Sequence, residues 1–205
     1  IASTDSHTSL SAVEENNFFG KHSAAEPSAQ RASHLHRDGE AAQIMGWEQV
    51  SSGYAAVWAQ ANTREALWDA MKRREVYGTT GSRMTVRLFG GWTFSDDDAQ
   101  APDIAAIGYA GGVPMGGTLT PAPATTSNNK APAFLVAASR DPAGANLDRI
   151  QIVKGWIDST GATHEQVFNV AWSGERTPDD AGTLPAVGST VDVASASWAN
   201  TIGSA

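Results

Sequence analysis

The chain has 205 residues and a mass of 21.4 kDa, with 41% hydrophobic and 18% charged residues and a mean hydropathy of −0.28. That length supports one large packed domain or two small ones, and that composition excludes disorder throughout. A net charge of −8, with only 14 Lys plus Arg, excludes a nucleic-acid clamp, because phosphate neutralisation needs a concentrated basic face and the sole basic run is Lys72 to Arg74.

No cysteine is present, so disulfides, thiolate zinc sites and cysteine nucleophiles are all excluded, and His, Asp and Glu remain as metal ligands. No apolar run reaches the roughly 18 residues of a membrane span. The chain opens at Ile1 without a basic, apolar, cleavable leader, and on that ground it reads as an excised piece of a longer protein. Histidine is distributed unevenly: His7, His22, His34 and His36 precede residue 37 and only His164 follows. Imidazole chemistry is therefore expected in the first part.

In chain order, Ile1 to Thr4 running into Asp5-Ser6-His7 reads as a buried strand that ends at a polar rim. Gly20 to Gly39, with Pro27 and mixed charge but no period, reads as an irregular loop. The clearest element is a helix over Thr63 to Glu75. Thr63 caps it, Glu65 and Asp69 lie toward its start, and the basic triplet closes it in the sense the helix dipole favours. Leu67, Ala70, Met71 and Arg74 share one face, whose apolar part is expected to pack on neighbouring strands, and Val76-Tyr77 lead out toward Gly78-Thr79-Thr80-Gly81.

From Met84 onward the period becomes two. Strands are predicted at Met84 to Phe89, Ala133 to Ala137, Arg149 to Val153 and Gln166 to Trp172, with a hairpin turn at Asp158-Ser159-Thr160-Gly161 and a loop or edge connection over Thr118 to Pro132. The spacing suits an antiparallel β-sandwich. Gly111 to Gly117 is glycine-rich but lacks the lysine of a phosphate-binding loop and reads as a turn, and no Rossmann fingerprint or serine-hydrolase elbow occurs.

Asp5 and His7, two apart at a strand end, fall on the same side, and a carboxylate with a neutral imidazole suits zinc, manganese or iron. Such ions acidify bound water enough to give hydroxide near neutral pH. The bland alternative is a strand end whose polar side chains are merely hydrogen-bonded. His34 and His36 form a second two-apart pair, read as solvated loop histidines; Glu14-Glu15 read as a solvated helix start, and Asp96 to Asp98 as a polar turn without the calcium-loop pattern. Seven tryptophans are many for this length. Trp92, Trp156, Trp172 and Trp198 serve either core and cross-strand packing, the favoured reading, or stacking on a sugar.

Taken together, Ser3 to Thr8, Glu14 to Lys21 and Arg64 to Arg83 resemble the C-terminal region of the bacterial domain-of-unknown-function family 3604, and the resemblance continues through Val113 to Gly117 and Leu147 to Trp156. That family in turn looks like the PHP superfamily of polymerase and histidinol phosphatase, whose distorted seven-stranded barrel holds two or three metal ions and hydrolyses phosphoesters. Its last ligand motif is Asp-x-His. The resemblance therefore implies that Asp5 and His7 are metal ligands and that Arg83 lies at the barrel rim near the cleft, while the earlier ligand motifs fall upstream of Ile1. His34 and His36 follow the terminal motif and take no such role.

The fold expected on this basis is an α+β fragment: the last strand and helix of a PHP-like distorted barrel over residues 1–83, with a long loop at about 20–62, then an appended antiparallel β-sandwich over 84–205, truncated at its end. The implied parent is a bacterial metal-dependent hydrolase of the phosphoesterase type, using a divalent metal, zinc, manganese or iron, on a small-molecule or phosphoester substrate. The periplasm or the exterior is the favoured location. The isolated chain is expected to be inactive and to hold metal weakly or not at all, since Asp5 and His7 supply two ligands where a hydrolytic site needs three or more. Apolar surface around Leu67 and Met71 is expected to favour self-association. A second reading makes the sandwich a structural or glycan-binding module of a secreted protein.

Overall fold

The computed structural model describes residues 5–7, 21, 26–39, 43–49, 53–123, 131–192, 194–195 and 197–204. The chain divides into two compact units, 1–138 and 139–205. The class is mixed α and β with small sheets. Among the described residues no barrel is closed, and in place of long facing sheets the strands form short pairs, one three-stranded sheet and one hairpin.

In the first unit, β1 (Leu35–Asp38) pairs antiparallel with β2 (Gln43–Met45), which runs into a single 3-10 turn at Gly46–Glu48. Strand pairing thus occurs within the stretch expected to be a long loop. The alternation that marks a strand is hidden here because β1 carries a bulge at His36 and both strands are only three or four residues long. Farther on, β3 (Ala55–Val57) pairs antiparallel with β4 (Val76–Gly78), and between them runs α1 (Arg64–Arg73).

Helix α1 follows its sequence closely. The Thr63 hydroxyl accepts the Ala66 N–H at 3.3 Å, and the helix ends where Arg74 turns left-handed at φ 65° and donates its N–H back to the Ala70 and Met71 carbonyls. Of the predicted face, Ala70 is fully buried, Leu67 and Met71 are half-buried, and Arg74 is exposed. Trp68, on the other side, stands in solvent.

The core lies one layer further along. Strand β5 (Thr85–Gly91) sits between β6 (Gly112–Pro114), antiparallel to it, and β7 (Ala133–Ser139). A one-turn helix α2 (Asp96–Ala99) and α3 (Ile104–Gly111) fill the connection between β5 and β6. Asp96 to Asp98 therefore open a helix, where their charge faces the positive end of the dipole, and Ser95 with Asp98 forms its capping box. Phe89, Phe94 and Leu135 are the buried centre, with Ile104, Ala105, Ile107 and Ala133 packed around them.

The glycine-rich stretch is explained by this packing. Gly112 belongs to β6, where a Cβ would lie 2.2 Å from the Gly90 carbonyl oxygen and 2.8 Å from Phe94 Cζ. Only the Met115–Gly116 end is a turn, and Gly116 takes a positive φ of 80° there.

In the second unit, β8 (Arg149–Ile157) and β9 (Thr163–Trp172) form an antiparallel hairpin with a bulge at Val170. Both strands extend beyond their predicted ends toward the predicted turn. There the Asp158 Oδ1 accepts the Thr160 N–H, the Thr160 hydroxyl and the Ala162 N–H at 2.6 to 3.1 Å. Leu184 is the one buried apolar residue described in this unit; polar links knit the rest together.

Those links give the unit a pH dependence. Donation by the Thr160 hydroxyl, then by His164, holds the Asp158 carboxyl well below the usual range, and donation by the Ser195 hydroxyl and the Ala194 and Ser195 N–H groups lowers that of Asp192. For Asp148, burial pushes upward as the largest single influence, but the Arg176 and Arg149 guanidiniums paired with its carboxylate together outweigh it and the net shift is downward. A carboxylate depressed on folding stabilises the folded state above its unfolded value, about 3.9, and loses that contribution as pH falls through the folded value. Thermal melts of the second unit's signals should therefore be flat from pH 7 to about 4 and fall below it. Asp158→Asn should shrink the acid-induced drop, and a variant with an unchanged drop would remove Asp158 from this account.

Candidate functional site

Asp5 and His7 are brought together by a local backbone turn. Asp5 has φ 58°, a left-handed conformation that Asp tolerates better than most residues, and the His7 N–H donates to the Lys21 carbonyl at 2.7 Å. The His7 Nδ1 lies 2.7 Å from the Asp5 carbonyl oxygen, so the hydrogen bond puts a proton on Nδ1. Nε2 is 3.9 Å from the Asp5 carboxylate Oδ1, and both side chains are more than half exposed.

This arrangement has the form of a metal ligand with its orienting partner, since a ligating imidazole usually donates its other N–H to a carbonyl or carboxylate. The separation is close to what an ion requires. Two donors each about 2.1 Å from a tetrahedral ion sit about 3.4 Å apart, a spacing a small side-chain rotation reaches from 3.9 Å. The donor types fit zinc, manganese or iron. The number of donors does not complete a site, because no group of three or more His, Asp or Glu residues disposed to hold an ion occurs among the described residues.

The remaining sequence candidates lie elsewhere. Arg83 is placed against Tyr54, with Nε 3.4 Å from the phenol oxygen and Cζ 5.7 Å from the ring centroid. His34 and His36 sit on the β1 side of the first hairpin with ring centroids 6.2 Å apart. His34 Nδ1 is buried without a hydrogen-bond partner, so a metal at its Nε2 would force a proton onto a nitrogen that has no acceptor. Glu14, Glu15 and His22 lie outside the described residues.

A polar cluster that the sequence does not announce lies between α1, α3 and β5. Glu75 is 4% exposed; its Oε1 accepts the Tyr109 hydroxyl at 2.8 Å and its Oε2 accepts Arg73 Nη2 and Nε at 2.9 and 3.1 Å. Burial, then the bond to Glu75, pushes the Tyr109 hydroxyl up, so it stays a donor through the neutral range. Arg87 lays its guanidinium 3.8 Å from the Trp58 ring, and the Trp58 Nε1 donates to the Val86 carbonyl at 3.0 Å. The small notch among Trp58, Glu75, Arg87 and Tyr109 is too tight to hold a ligand, and the cluster acts as an anchor between helix ends and sheet. Glu75→Gln should lower stability by about 2 kcal/mol, since it weakens a buried charge-assisted network, and Tyr109→Phe by about 1 kcal/mol. Denaturant melts check this: equal stability of Glu75→Gln and the parent would show that the network contributes nothing.

In the second unit Trp156 and Trp172 lie on the hairpin rather than in a core. Trp156 is 38% and Trp172 37% exposed, Trp198 is 51% exposed, and Trp92, in the first unit, is half-buried with its Nε1 donating to the Thr120 carbonyl. The expectation that large aromatics fill the interior is corrected for these three: phenylalanine and leucine form the core. Cross-strand packing does occur, because Trp156 stacks on His164, directly opposite, at 5.2 Å and 20°. His164 Nε2 lies 2.7 Å from Asp158 Oδ2, and the Lys154 ammonium is 4.8 Å from the Trp156 ring.

Fold and site together define a mixed α+β protein of small sheets, with an exposed, pre-oriented Asp–His pair and an aromatic hairpin. No helix among the described residues is long and apolar enough to cross a membrane. The chain belongs to the family described as "Protein of unknown function (DUF3604)", whose model matches residues 1–205. No curated protein and no solved structure matches it.

Proposed function

We propose that Asp5 and His7 contribute two ligands to the metal centre of a hydrolase of the PHP type, acting on phosphoesters, and that this activity belongs to a protein in which further ligands complete the site. The observation that carries this reading is the 2.7 Å bond between His7 Nδ1 and the Asp5 carbonyl, the orienting contact a ligating imidazole usually makes, with Nε2 3.9 Å from the Asp5 carboxylate. A divalent ion, when bound, supplies Lewis acidity toward a phosphoryl oxygen. Asp5 would offer a carboxylate that offsets the ion's charge, and His7 an imidazole nitrogen.

Calorimetry of the chain with zinc and manganese tests the assignment without an activity assay. Binding weaker than micromolar is expected, since two exposed donors hold an ion poorly, and His7→Ala or Asp5→Asn should weaken it at least about tenfold. Unchanged binding in both variants overturns the ligand assignment. Micromolar binding with phosphoester turnover by the chain itself overturns the need for further ligands.

A second reading rests on the exposure of Trp156 and Trp172: the hairpin presents aromatic surface to a glycan, as sugar rings stack on exposed indoles. Soluble glycans should then change tryptophan fluorescence, and Trp156→Ala should abolish most of the change. A response that is absent, or intact in Trp156→Ala, removes this reading.

A further inference from the structure

We draw no further inference here: the strongest candidate, the apolar surface that the β8–β9 hairpin leaves exposed at Val153, Ile157 and Val167, is an unpartnered sheet face, and nothing in the structure shows what covers it.

Discussion

Replacing Gly108 by alanine will destabilise the first unit by about 2 to 3 kcal/mol, although the same change in an open helix stabilises by about 1 kcal/mol. Gly108 lies inside α3, where helix propensity favours alanine. A Cβ there would lie 2.3, 2.4 and 2.6 Å from Cγ, Cδ2 and Cδ1 of Phe89. Those are the root and ortho carbons of a ring, not the tip of a flexible chain, so the ring must move as a body. It has nowhere to go: Phe89 is 2% exposed and packs edge-on against Tyr109 at 5.1 Å. Overpacking therefore outweighs propensity. Urea melts of Gly108→Ala, Phe89→Leu and the double variant form a cycle in which the double variant should be clearly more stable than the sum of the single losses predicts. A Gly108→Ala variant as stable as the parent would mean that α3 does not lie on Phe89 as described.

Replacing Arg176 by alanine will loosen the second unit by about 2 to 3 kcal/mol, the scale of losing several bonds from one charged donor. Its Nε donates to the Ser173 carbonyl at 2.9 Å, Nη1 to the Pro185 carbonyl at 2.8 Å, and Nη2 to the Asp148 carbonyl and the Ser173 hydroxyl at 2.9 and 3.1 Å. Nη1 also approaches Asp148 Oδ1 to 2.6 Å, an ion pair too poorly aligned to count as a hydrogen bond. One side chain thus ties the segment before β8, the end of β9 and the segment beyond Leu184. The dependence is strong because Leu184 is the one apolar side chain buried in the described part of this unit, leaving hydrophobic burial little share in its stability. Arg176→Lys should recover only a small part of the loss, since an ammonium cannot span four acceptors in a plane. Hydrogen exchange should quicken at Ser173 and Leu147, whose N–H groups bond to Asp148 and Ser204. Unchanged exchange in Arg176→Ala would assign the unit's cohesion to other contacts.

The carboxylate and imidazole proposed as ligands were legible as residue types at a spacing. Asp-x-His needs no tertiary information to be noticed, and the resemblance that points to these two residues rests on local motifs. Their geometry was not legible. The bond from Nδ1 to the Asp5 carbonyl requires a positive φ at Asp5 and a partner for the His7 N–H fourteen residues away, at Lys21. Neither follows from a tripeptide. The Glu75 cluster was hidden for the same reason, because its phenol comes from a helix 34 residues further on.

Determined by the sequence alone were the elements whose signals are local: α1 between its threonine cap and its basic end, the strands β5, β7, β8 and β9 with their period of two, and the Asp158 turn. Each of these states is favoured by neighbours within a few residues, so a window of sequence contains its cause. Decided only by the tertiary structure were β1 and β2, short segments that become strands by pairing, and the glycine-rich stretch, an edge strand where Phe94 and Gly90 leave no space for a Cβ at Gly112. Tertiary structure also decided where the tryptophans go. Composition says that large aromatics prefer burial, but burial depends on a facing layer, and around the β8–β9 hairpin the structure leaves Trp156 and Trp172 in contact with solvent.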